Sequence, residues 1–186
     1  ELRAIDVPVL NLGRTPGFHP QLALPLAKII RQHGIDVVHC HHYSPYVYGV
    51  LAAAMTGVRV VFTEHGRLSD SEPSSKRRLV NPVLSMYPGP IFAVSENLKQ
   101  FMVAEGFRPA RIEVVHNGIH AGTPPTEAER DAARAELGLA ADAFVVGTVG
   151  RLDPVKNLET MLESHRLLSS RVPHLHSVIV GDGPER

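Results

Sequence analysis

Apolar residues along this chain recur in two rhythms. Short β-branched runs stand at residues 35–40, 58–63, 91–94, 111–116 and 144–146. Between them, apolar residues return every three or four positions, the spacing of a helix that buries one face. A loose alternation over residues 2–10 reads as a further strand, followed by a Gly/Pro loop over 11–20. Residues 22–33 have helical spacing, with Pro25 marking the first turn and Gly34 suited to the position after the last. Ser44 is a candidate N-cap, with Pro45 at the first helical position and Gly57 as the stop. Residues 69–86 pass from polar to apolar and are expected to be helical, and Ser95 is placed to cap a helix ending at Gly106.

Composition shifts at Ala121-Gly-Thr-Pro-Pro125, which reads as a linker between a domain over 1–120 and another over 126–186. Thr126-Glu-Ala-Glu129 spells a capping box for a helix ending at Gly138. A strand, a turn, a helix over 158–168 and a last strand follow. Strands that alternate with helices predict an α/β fold with parallel sheets and right-handed crossovers. Ligands of such sheets bind beyond the carboxyl ends of the strands. His41, His65, Ser95, Asn117, Arg151 and Gly181 all fall at those ends.

One strand end carries more chemistry than the others. In Gly147-Thr-Val-Gly-Arg-Leu-Asp-Pro-Val-Lys-Asn157 a strand runs into a glycine turn, two cations and a helix start. A helix start has unpaired N–H groups and a partial positive charge, both of which favour an anion. Arg151 and Lys156 add full charge, and Gly150 lets backbone approach a ligand closely. This is chemistry for a phosphate or diphosphate. On residue types alone, an ordinary turn with two solvated cations stays open beside it.

Composition narrows the classes. The chain has 186 residues, 44% of them hydrophobic, enough for a core and against disorder. Nineteen cations balance 19 anions, so no strong field for nucleic acid or an anionic membrane is expected. A single cysteine, Cys40, excludes a disulfide framework and suits a reducing compartment. No apolar run is long enough to span a bilayer. Glu1 is not an initiator methionine and no signal peptide opens the chain, which therefore reads as starting in mid-protein. His39-Cys40-His41-His42 invites a metal reading. Adjacent strand residues point to opposite faces, so the four are not expected to converge, and a buried strand end bonded to backbone or loops is favoured. Lys76-Arg77-Arg78 reads as a solvated helix face or as a patch for an anionic group.

The spelling of the glycine turn resembles the donor-site motif of the GT-B glycosyltransferases, in particular the large retaining family 4. Asp36-Val-Val-His-Cys-His41, Phe62-Thr-Glu-His-Gly66, Ala93-Val-Ser-Glu96, Val114-Val-His-Asn-Gly-Ile119 and Val178-Ile-Val-Gly-Asp-Gly-Pro184 resemble further strand ends of that family, in the right order. The resemblance implies two Rossmann-like domains facing across a cleft, both incomplete here. It implies transfer of a sugar from a nucleoside diphosphate sugar to an acceptor hydroxyl, with retention and without a divalent metal or other cofactor. Gly150, Arg151 and Lys156 would hold the donor diphosphate, and His65 would contact the donor sugar near the reaction centre. Ser95, Asn117, Gly118, Gly181 and Gly183 would line the cleft. The acceptor would be a saccharide or lipid-linked group, and the location cytoplasmic, at most peripheral to a membrane.

His120 stands where that family commonly has an aspartate. The family's Glu-x7-Glu motif is not found here, and Glu159 and Glu163 do not substitute for it. This polypeptide alone is therefore expected to lack turnover. A sugar epimerase or phosphorylase of the same architecture, and a non-catalytic nucleotide-binding fragment, are the rival readings.

Overall fold

The computed structural model describes residues 7–66 and 72–186. The chain divides into two compact units, Glu1–Ile119 and His120–Arg186. In the first, four strands line up in chain order: β1 (Val37–His41), β2 (Arg59–Glu64), β3 (Ile91–Ala93) and β4 (Ile112–Val114). Every neighbouring pair is parallel. Helix α1 (Ala23–Gln32) precedes β1, while α2 (Tyr43–Thr56), α3 (Ser75–Leu84) and α4 (Glu96–Ala104) are the crossovers. Right-handed crossovers between successive neighbours place these three helices on one face of the sheet.

That face holds the core. Phe62, Val60, Ile91, Ala93, Ile112 and Cys40 from the strands meet Tyr46 and Val50 of α2, Leu84 of α3 and Leu98 and Met102 of α4. The Tyr46 ring stacks on Phe62 at 4.2 Å between centroids. Alternation along β2 buries Val60, Phe62 and Glu64 and leaves Arg59, Val61 and Thr63 less covered. Both polar atoms of the buried Asn81 side chain have partners: Oδ1 accepts from the Tyr43 hydroxyl at 2.7 Å and Nδ2 donates to the Glu105 carbonyl at 2.8 Å.

The second unit contains α5 (Glu127–Glu136), β5 (Phe144–Val149), α6 (Leu158–Leu168) and β6 (Leu175–Val180). β5 and β6 pair in parallel. The capping box forms as spelled: Thr126 Oγ1 accepts from the Glu129 N–H, and Glu129 accepts from the Thr126 N–H at 2.8 Å. Among the described residues of this unit only Ala143 and Leu152 are buried. No helix among the described residues is long and apolar enough to cross a membrane.

Three local expectations need correction. The strand expected over 2–10 has no strand at 7–10, and residues 1–6 lie outside the described residues. Ser44 is not the cap of α2. The helix starts at Tyr43 and its N-cap is His42, at φ 72° with no side-chain cap. Pro45 sits inside the first turn, where its missing N–H has no intrahelical acceptor to lose. The helix expected over 69–86 runs only from Ser75 to Leu84, capped by Ser74, whose Oγ accepts from the Arg77 N–H at 3.4 Å. Residues 69–71 of that expectation lie outside the described residues.

Candidate functional site

β5 ends at Val149 and leads into Gly150-Arg151-Leu152-Asp153, a 3-10 turn over Pro154–Lys156, and α6. Pairing with the β6 side continues past both strands. The Gly150 N–H donates to the Val180 carbonyl at 2.9 Å, the Leu152 N–H to the Asp182 carbonyl at 3.0 Å, and the Glu185 N–H to the Leu152 carbonyl at 3.2 Å. Two glycines permit this closeness. A Cβ on Gly181 would lie 1.8 Å from the Gly150 oxygen, and one on Gly183 would lie 2.1 Å from the Leu152 oxygen. The buried Leu152 side chain anchors the loop from within. Gly150 is different: a Cβ there would meet nothing nearer than Lys156 Cε at 4.0 Å.

Asn157, in the left-handed region at φ 48°, turns the chain into α6, and no side chain caps the first N–H groups of that helix. These donors, the helix dipole and two cations surround a hollow of about 80 Å³ lined by Thr148, Gly150, Arg151, Leu152, Lys156 and Leu158, among others. Lys156 has no ion-pair partner among the described residues. Arg151 does have one: its Nη2 donates to Asp153 Oδ2, while Asp153 Oδ1 accepts from the Val155 N–H at 3.2 Å. The Arg151 bond, followed by the Val155 N–H, holds the Asp153 carboxyl below the usual carboxylate range. The pair is thus intact at neutral pH and is lost only as pH falls through that lowered value.

An anion in the hollow must compete with Asp153 for Arg151. Asp153→Asn keeps the acceptor for Val155 and removes the competing charge. In the full-length protein it is expected to tighten inorganic pyrophosphate binding by up to about fivefold, the scale of one exposed ion pair. Titration calorimetry checks this, and weaker binding would contradict it.

The first unit offers a separate cluster. The register of β1 against β2 sets His41 opposite Thr63 and brings two strand ends together. His41 Nδ1 lies 2.7 Å from His65 Nε2, with ring centroids 5.0 Å apart. His39 Nε2 lies 2.9 Å from Thr63 Oγ1, and its ring is 4.1 Å from that of His41. Burial first, then the neighbouring His41 and His65, lowers the His39 pKa and favours its neutral form. His42 Nδ1 donates to Glu64 Oε1 at 3.1 Å, and the same oxygen accepts from the His65 backbone N–H at 3.2 Å.

The expectation of a buried strand end is corrected here, while the expected bond to a neighbouring loop holds for His41, whose partner His65 follows β2. His41 is exposed, and the partners of His39, His41 and His42 are side chains at the end of β2 or just after it. Cys40 points the other way, into the core, and burial pushes its thiol up to about 11. Among the described residues no group of three or more His, Cys, Asp or Glu is arranged to hold a metal ion.

The residues singled out from the sequence therefore fall in two groups, one per unit. Gly150, Arg151, Lys156, Gly181 and Gly183 come together in the second. His65 joins His41, His42 and Glu64 in the first. Ser95 caps α4, its Oγ accepting from the Leu98 N–H at 3.2 Å. Asn117 and Gly118 lie exposed in the segment after β4 and bond to neither group. Arg77 separates from its basic neighbours: it pairs with the buried Glu105 at 3.0 Å and covers the Tyr43 ring at 4.0 Å. Lys76 and Arg78 stay exposed. The partnership of His41 with His65 and the anchoring by Leu152 were not expected. Their signals are the matched strand ends and the apolar residue between two charged ones.

Residues 1–122 match the sequence profile of Glycosyltransferase Family 4, and residues 129–186 that of Glycosyl transferases group 1. A putative glycosyltransferase of Bacillus subtilis, EpsD, is 31% identical over 94% of this chain and 49% of its own length. An Escherichia coli protein, UDP-Gal:alpha-D-GlcNAc-diphosphoundecaprenol alpha-1,3-galactosyltransferase, is 29% identical over 98% of this chain and 49% of its own. The chain thus spans about half the length of these curated relatives. In fold it is similar to Anabaena Alr3699/HepE, solved in complex with UDP and glucose, with a TM-score of 0.74 at 22% identity over 98% of this chain and 50% of that one. With a family profile covering most of its residues, its parallel α/β units and its glycine–arginine–lysine strand end, this chain belongs to glycosyltransferase family 4 and carries part of a GT-B fold.

Proposed function

We propose that the full-length protein transfers a sugar from a nucleoside diphosphate sugar to an acceptor hydroxyl with retention of anomeric configuration. The observation that carries this reading is the hollow at the end of β5. There two cations and the open N–H groups of α6 converge on a loop held from behind by Gly181 and Gly183. A diphosphate matches this chemistry in charge and hydrogen bonding, and the complex of HepE with UDP and glucose supports a nucleotide sugar as donor. A departing diphosphate gains negative charge as the glycosidic bond breaks, so fixed cations stabilise the transition state more than the bound donor. Arg151 and Lys156 supply that charge, and the reading calls for no divalent metal. His65 orients the donor sugar through a hydrogen bond and is not a general base. The acceptor is assigned only to the class of saccharide hydroxyls, free or lipid-linked, in keeping with the name of the Escherichia coli relative.

Gly150 provides the test. Space for a Cβ exists there, so Gly150→Ala is expected to leave the melting temperature of the full-length protein within about 2 °C, as for a substitution without strain. A diphosphate seated against the loop backbone would meet the new methyl group. Pyrophosphate and nucleoside diphosphate affinity is therefore expected to fall roughly tenfold or more, the scale set by overpacking a fitted contact. Unchanged affinity for both would remove the diphosphate from this loop, and the transferase reading would lose its main support.

A further inference from the structure

The reading of His65 as the residue that meets the donor sugar leaves open what sets the direction and proton state of its ring. Five contacts answer this. The His65 backbone is tied to Glu64 Oε1 at 3.2 Å, and Glu64, only 8% exposed, is held in turn by His42. The His65 ring is tied through Nε2 to His41 Nδ1 at 2.7 Å. His41 is in turn backed by the His39 ring at 4.1 Å, and His39 is fastened to Thr63. Among the described residues, Nδ1 of His65 has no partner.

Two neutral imidazoles joined in this way share one proton, so one nitrogen donates and the other accepts. Only one assignment keeps both rings in the Nε2–H form that free histidine favours: His65 Nε2–H donates to the lone pair of His41 Nδ1. The bond made by one ring nitrogen sets the state of the other. Nδ1 of His65 is then a bare acceptor.

We propose that His41 is a positioning residue. Its Nδ1 fixes the ring and tautomer of His65, so that His65 presents Nδ1 as the acceptor for a hydroxyl of the donor sugar. The proposal rests on the transferase reading for its ligand, though not for its geometry. It assigns His39 and Thr63 the task of holding His41, and Glu64 and His42 that of holding the His65 main chain.

Two variants of the full-length protein separate the bond from the packing. His41→Phe keeps a stacked ring and loses the nitrogen. His41→Asn places an amide oxygen near the former Nδ1 and keeps an acceptor. With ring nitrogens labelled, the wild-type nitrogen spectrum is expected to give His65 an unprotonated Nδ1 and a protonated Nε2. In His41→Phe this signature is expected to give way to exchange between the two tautomers, and in His41→Asn to persist. Turnover of the nucleotide sugar by His41→Phe is expected to fall roughly five- to tenfold, the scale of one net hydrogen bond, with KM little changed, and His41→Asn to recover most of it.

A protonated Nδ1 in the wild type, or a His65 signature unaltered in His41→Phe, would overturn the proposal. So would wild-type turnover in an active His41→Phe. If His41→Phe does not fold, the wild-type and His41→Asn spectra still decide. The spectrum is read without turnover, so a protein inactive with every nucleotide sugar would sink the transferase reading while the pairing is judged on its nitrogen signals.

Discussion

Arg151→Ala and Lys156→Ala in the full-length protein are each expected to slow sugar transfer by roughly 10²- to 10³-fold, the effect of removing one preorganised donor from a developing anion. Both side chains line the hollow at the end of β5, and the uncapped start of α6 adds its N–H groups to the same place. The two losses differ in kind. Among the described residues Lys156 makes no ion pair, so its removal should weaken nucleoside diphosphate binding directly. Arg151 must first leave Asp153, so part of its binding energy is offset by the broken pair and its removal should appear more in kcat than in affinity. Affinity for the free nucleoside, which has no phosphate, is expected to stay within about twofold in both, since only exposed charge is lost. Steady-state kinetics with calorimetry on diphosphate and nucleoside checks all three statements. Wild-type efficiency in both variants would end the assignment of this loop to the donor.

Gly181→Val is expected to do as much damage without touching any charge. Its Cβ would sit 1.8 Å from the Gly150 carbonyl oxygen, a backbone atom that no rotamer change can move aside. Relief requires the 150–152 loop to separate from the segment after β6, with loss of the Leu152-to-Asp182 bond and of the buried Leu152 anchor. Overpacking of this kind typically costs 1–3 kcal/mol and more against backbone. In a unit with so few buried side chains that is a large share of the total. The expected outcome is a melting temperature lower by several degrees and no measurable diphosphate binding. A melting curve like that of the wild type, with binding retained, would mean that the loop rests on other contacts.

Features set by a few consecutive residues were legible from the sequence. The capping box of Thr126 and Glu129, the cap at Ser95 and the left-handed stop at Gly57 each depend on one turn of chain, and each forms as spelled. The parallel α/β order was legible because the apolar rhythm changes cleanly between strand and helix. Ser44 misled because a cap must stand where the chain enters the helix, and that place falls at His42 (φ 72°), which leaves Ser44 inside the first turn. The His41–His65 bond joins residues 24 apart, and it exists only because β1 and β2 pair in one register. The glycines after β6 were visible as glycines, yet the carbonyls they admit belong to a loop some thirty residues earlier, which only strand pairing brings near.

The continuation of the β5–β6 ladder past the ends of both strands bears on the thermodynamics of ligand entry. Three backbone hydrogen bonds and a buried leucine already fix the loop before anything binds. A ligand arriving there has little main chain to order, which spares the 1–2 kcal/mol per residue that freezing a mobile loop typically takes. Its conformational work is confined to two side chains, Arg151 as it exchanges a carboxylate for a phosphate and Lys156 as it settles into one rotamer. Diphosphate binding should therefore carry the small entropic penalty of a finished receptor, not the large one of a loop that folds around its guest.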